Sequence, residues 1–195
     1  MAVRPLAGET SCGDVCVIAP HPSGILFAAV DGLGHGEEAA AAAEMAAEII
    51  RATPNTSLLA LMERCHRRLM GTRGAAMSLA SFDPSEGTMT WAGVGNVEGL
   101  MVRAGKWENS SRESLMLRGG VVGHRMPPLT ASIVQMGFGD ILILATDGVE
   151  FTYSSAKLPL ALPPQRLAEH ILTAYAKETD DALVLVARFL GGTPP

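Results

Sequence analysis

The sequence predicts an α+β fold, with long antiparallel runs of strand interrupted by helices. Two observations carry that class. Strand patterns open the chain, two helical segments follow, and then come many strand patterns, one helix and a last strand. Glycine- and proline-rich turns separate most strands, and no βαβ alternation is present.

Residues 14–20 and 25–30 read as the first strands, joined by the turn His21-Pro22-Ser23-Gly24. Residues 37–51 are Ala-rich, free of Gly and Pro, and begin with two glutamates that suit a helix N-terminus. Residues 57–70 form a second helix with Leu58, Leu61, Met62, Cys65 and Leu69 on one face. Strands are expected at 76–82, 89–94, 97–103, 114–117, 131–136 and 140–146, with exposed loops at 104–112 and 119–128. Pro163-Pro164 introduces a helix at 165–177, and residues 182–190 supply the closing strand. No repeat or linker divides the chain, so residues 1–195 are expected to form one domain.

Composition narrows the function. The chain is 48% hydrophobic but only 5% aromatic, so its core draws on Ala, Val, Leu, Ile and Met. A net charge of -5, with no basic run, disfavours nucleic acid as a partner. Cys12, Cys16 and Cys65 make an odd set without a disulfide framework and are expected to be free thiols. Neither a signal peptide nor a membrane span is visible, which predicts a soluble, cytoplasmic protein.

The chemistry lies in aspartates beside glycine or at the ends of apolar strands: Gly13-Asp14, Asp31-Gly32, Asp147-Gly148 and Asp180-Asp181. The run Ile141-Leu142-Ile143-Leu144-Ala145 delivers Asp147 at its end, and residues 25–30 do the same for Asp31. A carboxylate in that setting must be exposed, paired or metal-bound. Several aspartates without a His/Cys cluster point to hard cations, Mg²⁺ or Mn²⁺. A lone Asp31-Gly32 or Asp147-Gly148 is more often a turn than a ligand, because Asp-Gly is a common turn dipeptide. Gly139-Asp140 is assigned to a turn, and Asp181 to a solvated strand end. His66 is placed on the helix surface, His124 in an exposed loop, and His170 on the last helix without a partner.

In combination the segments are more specific. Gly13-Asp14, Asp31-Gly32-Leu33-Gly34-His35-Gly36, Gly74-Ala75-Ala76, Gly93-Val94-Gly95-Asn96, Ala145-Thr146-Asp147-Gly148-Val149 and Asp180-Asp181-Ala182 occur in that order. The series resembles the motifs of the type-2C (PPM) protein phosphatases, in their bacterial SpoIIE-like branch. The resemblance implies two antiparallel sheets packed face to face between helices, with a site for two Mn²⁺ or Mg²⁺ ions at one end. It gives Asp31 as the ligand bridging both ions, the Gly32 carbonyl as a ligand to one, and Asp147 and Asp180 as ligands to the other. Asp14 acts nearby, directly or through water, and metal-held water is the nucleophile.

The short length is most similar to the RsbX type. That similarity implies phosphorylated STAS-domain proteins of a stressosome or partner-switching module as substrates. A SpoIIE- or RsbU-like phosphatase of an anti-sigma-factor antagonist is the alternative, as is a binding module that has lost turnover. Two positions depart from the pattern. Leu33 stands where many relatives have histidine, leaving His35 either structural or catalytic, and Leu183 replaces the threonine of the closing Asp-Asp-x-Thr. No arginine is assigned to phosphate.

Overall fold

A computed structural model describes residues 1–105 and 111–191. Its strands are β1 (Ala2–Arg4), β2 (Asp14–His21), β3 (Gly24–Gly32), β4 (Ala75–Asp83), β5 (Thr88–Val94), β6 (Glu98–Val102), β7 (Arg112–Ser114), β8 (Ser132–Gln135), β9 (Ile141–Ala145) and β10 (Ala182–Arg188). The helices are α1 (Glu37–Ala52), α2 (Leu58–Leu69) and α3 (Pro164–Tyr175). One sheet runs β2-β3-β4-β5-β8 and the other β1-β10-β9-β6-β7, with antiparallel pairing throughout.

Three buried clusters define the layers. Val17, Leu26, Ala28 and Val30 of the first sheet pack on the inner faces of α1 and α2. Ile143, Val184 and Leu100 of the second sheet pack on Leu167, Ala168 and Ile171 of α3. Between the sheets lie Trp91, Met101, Leu142, Leu144, Leu183 and Leu185. The order is helix, sheet, sheet, helix. All five residues of β9 are buried, because one side meets the helix layer and the other the opposing sheet.

The local chemistry explains the elements. α1 buries Ala39, Ala42, Ala43, Ala46, Ala47 and Ile50, so its small face lets the backbone lie close on the sheet. Glu37 and Glu38 in its first turn complement the helix dipole. Gly36 precedes it at φ 79°, a left-handed conformation open to glycine.

Several expectations need correction. β1 is an addition of three residues that pairs with β10 and stops before Pro5. The strand expected at 114–117 is instead β7, ending at Ser114. Beyond it the Leu115 N–H still donates to the Gly99 carbonyl of β6 at 2.8 Å, and the chain then passes Trp91, whose Nε1 donates to the Met116 carbonyl at 3.3 Å. The loop expected at 104–112 lies partly outside the described residues, and its last residue opens β7. The 119–128 segment is irregular as expected but not wholly exposed. Val122 is buried and bridges Ala75, and the Gly123 N–H donates to His66 Nδ1 at 2.9 Å. His66 is therefore a half-buried tether and not a surface residue. The three cysteines are free thiols. Among the described residues no helix is long and apolar enough to cross a membrane.

Candidate metal centre

Strand register brings the aspartates together. β2 and β3 place Asp14 opposite Asp31, and β4 continues the row by pairing Ala76 with Asp31. In the facing sheet, Ala145 at the end of β9 pairs with Val184 near the start of β10. Asp147 therefore follows one strand and Asp180 precedes its neighbour at the same end. Asp14 is buried, while Asp31, Asp147 and Asp180 are half-buried.

The electrostatics show that these side chains share one field. Burial pushes the Asp31 carboxyl up to about 8, and repulsion from Asp14, Asp147, Asp180 and Asp181 adds to the rise. Burial likewise raises Asp14 to about 7, against a hydrogen bond from Thr146 and with repulsion from Asp181, Asp180 and Asp147. Asp180 is raised mainly by burial, and His35 is near enough to oppose that rise. Among the described residues, no Lys or Arg side chain forms an ion pair with any of the five.

Neighbouring groups fix the donors. The Thr146 hydroxyl donates to Asp14 Oδ2 at 2.7 Å and accepts the Leu183 N–H at 2.9 Å. Asn96 Nδ2 donates to Asp147 Oδ2 at 2.5 Å, and Lys177 Nζ to the Asp147 carbonyl at 2.6 Å. Asp181 is not a solvated strand end. It is 3% exposed and accepts the N–H groups of Leu6 and Gly13, each at 2.8 Å, so it ties the segment before Asp14 to β10. Asp140, assigned to a turn, does cap one: it accepts the N–H groups of Ala104 and Gly137 and pairs with Arg103.

Two glycines permit the close approach. A Cβ on Gly32 would lie 2.0 Å from the Ala39 carbonyl oxygen of α1, and one on Gly148 would lie 1.8 Å from that of Asp181. Replacement of either by alanine is expected to cost about 3 kcal/mol, because backbone must yield. Urea unfolding of G148A with an unchanged slope would check this. Thr146→Val is expected to cost about 1–3 kcal/mol, since it leaves the Leu183 N–H and one Asp14 oxygen without their partner. The same denaturation series reads it.

His35 is well exposed, and its Nδ1 lies 2.8 Å from Glu9 Oε1, an arrangement that ties the 33–36 turn to the N-terminal segment. From sequence, Thr146, Asn96 and Lys177 carry no assigned role, and Asp181 reads as a solvated strand end. Asp181 and Thr146 flank predicted ligands, which was the available signal. Asn96 closes the Gly93–Asn96 segment but its contact spans 51 residues, and the Lys177 contact, spanning 30, carries no local signature.

The donor set suits a hard divalent cation: carboxylates, clustered and without a Lys or Arg ion pair among the described residues, with glycine backbone at close quarters. As the side chains stand, no three His, Cys, Asp or Glu among the described residues converge tightly enough to cage an ion. The chemistry of the donors and their mutual repulsion fit such a group, though a closed coordination sphere requires side-chain adjustment.

Comparison with known proteins agrees with this architecture. The family profile of SpoIIE, stage II sporulation protein E, matches residues 21–190. No curated protein sequence matches significantly. One solved structure, described as "The bacterial stressosome: a modular system that has been adapted to control secondary messenger signaling", is 32% identical, with a TM-score of 0.85 over 96% of both chains. A structure of RsbX in complex with magnesium has a TM-score of 0.82 at 16% identity, covering 96% of this chain and 92% of that one. The PP2C phosphatase domain of SpoIIE from Bacillus subtilis, solved with a fragment of its regulatory domain, gives 0.73 at 19% identity, over 98% and 63%. The family match spans most of the sequence, and the chain belongs to the SpoIIE family of PPM serine/threonine phosphatases.

Proposed function

We propose that this chain hydrolyses phosphoserine or phosphothreonine on STAS-domain proteins of a stressosome or partner-switching module, in the cytoplasm, with residues 1–195 acting as one catalytic domain. The aspartate cluster at one end of the sandwich, whose carboxylates form no ion pair with Lys or Arg among the described residues, carries the reading. Asp14, Asp31, Asp147, Asp180 and the Gly32 carbonyl would hold two Mn²⁺ or Mg²⁺ ions. Bound there, the ions supply the positive charge and Lewis acidity that phosphoester hydrolysis needs.

The protein's own groups prepare the site. Thr146 orients the Asp14 carboxylate, Asn96 holds one oxygen of Asp147, and Asp181 keeps the 6–13 segment against β10. The Gly32 N–H donates to the Gly13 carbonyl at 2.9 Å, locking the backbone of the two β-ends together. None of these residues needs to form a covalent bond with phosphorus. The substrate class is supported by the stressosome-related structure at 32% identity.

A substrate panel tests the reading. A phosphorylated stressosome STAS protein is expected to release phosphate faster than a phosphorylated anti-sigma-factor antagonist, with a phosphotyrosine peptide inert. Faster turnover of the antagonist would move the chain to a SpoIIE- or RsbU-like role, and no turnover on any would indicate a binding module.

A further inference from the structure

The seam between α1 and α2 carries a second feature. Two hollows open outward along it, one of about 380 Å³ between α1 and the 71–73 turn and one of about 370 Å³ between Ile49 of α1 and α2. Ala41, Ala42 and Met45 of α1 line the first, with Glu38 and Arg73 at its rim, and Ile49 lines the second beside Arg64, Arg67 and Arg68. Only Arg73 has a carboxylate partner among the described residues, Glu38 at 2.6 Å, and Arg64 donates to the Thr53 hydroxyl. Four arginines on one seam stand out in a chain of net charge -5.

The seam leads to the aspartates. α2 runs toward that end of the sandwich, and the 70–73 turn after it meets the Asp31-Gly32 loop. The Leu33 N–H donates to the Gly74 carbonyl at 3.1 Å, and a Cβ on Gly34 would lie 2.6 Å from an Arg73 guanidinium nitrogen. No aromatic side chain lines either hollow, so base stacking is not provided for, whereas a chain of carboxylates along an apolar strip is complemented.

We propose that the α1–α2 seam is a docking groove for an acidic segment of the phosphoprotein substrate, running from Arg64 to Arg73 and presenting the phosphorylated residue at the aspartate cluster. The inference rests on the phosphatase reading above and names its substrate class more closely: phosphoproteins with a glutamate- or aspartate-rich flank beside the phosphorylated residue.

The test separates docking from turnover. Fluorescent serine peptides with glutamate-rich, serine-rich or lysine-rich flanks are titrated with the full chain in Mg²⁺, and anisotropy gives binding that needs no hydrolysis. The glutamate-rich peptide is expected to bind about tenfold more tightly than the serine-rich one, from several exposed charge contacts acting together. That ratio should fall toward one in R67E/R68E, and in the unaltered chain when salt is raised. Equal binding of all three peptides by the unaltered chain, or a glutamate preference that survives both R67E/R68E and high salt, would overturn the groove. The phosphoserine versions of the same peptides report phosphate release. Binding preference without release would count against the phosphatase reading and leave the docking result standing.

Discussion

The D31N chain is expected to lose phosphate release by about a hundred- to a thousandfold, the scale seen when one preorganised charge-stabilising group is removed from an active site. Asp31 is the carboxylate that faces every other member of the cluster. Burial and four neighbouring aspartates push its carboxyl up to about 8, so the ionised side chain is held in place at a cost. Asparagine keeps the shape and removes the charge. In EDTA at pH 8 the variant should therefore unfold at a higher temperature than the parent, while its stabilisation by Mg²⁺ or Mn²⁺ should be largely lost. Unchanged turnover would remove Asp31 from its proposed bridging role. A lower melting temperature in EDTA would mean that the carboxylate serves the fold.

The second large effect is the pH dependence of metal stabilisation. Asp14 and Asp31 have folded-state values of about 7 and about 8, above the ordinary 3.8. The folded metal-free chain thus holds protons that the unfolded chain has released. The contribution of these two carboxyls to stability is greatest below about pH 4, declines as pH rises from there through 7 and 8, and levels above that. Cations bind the deprotonated carboxylates, so at pH 5.5 they must displace protons and at pH 8.5 they need not. At free metal a hundredfold above Kd, stabilisation is about 2.7 kcal/mol. The rise in melting temperature on replacing EDTA with Mg²⁺ should be larger at pH 8.5 than at pH 5.5. An equal rise at both values, or none, would argue against the cluster as the cation site.

Much of this architecture is legible in the sequence, for identifiable reasons. Helices α1 and α2 and strands β2 to β5 announce themselves through uninterrupted periodicity bounded by Gly and Pro, and their predicted limits lie within a residue or two of those observed. Asp14, Asp31, Asp147 and Asp180 could be singled out because each follows or precedes an apolar strand, and strand register then gathers them at one end. What could not be read depends on contacts distant in sequence. The burial of Asp181 is decided by the N–H groups of Leu6 and Gly13, 175 and 168 residues away. β1 forms because β10 offers it an edge, and three residues carry no period of their own. The displaced β7 reflects a crossing between sheets that local propensity does not encode. The arginine seam was hidden for a similar reason, since Arg73 joins the three arginines of α2 only when the 70–73 turn folds back beside α1.

Phosphate release from a phosphorylated STAS-domain protein, followed side by side in Mn²⁺, in Mg²⁺ and in EDTA, tests the central claim most directly. Turnover in at least one metal, abolished by EDTA and restored by adding the metal back, is the predicted result. Turnover that persists in EDTA, or none in either metal with binding of the ions confirmed by calorimetry, would contradict the assignment of the aspartate cluster as a metal-dependent phosphatase site.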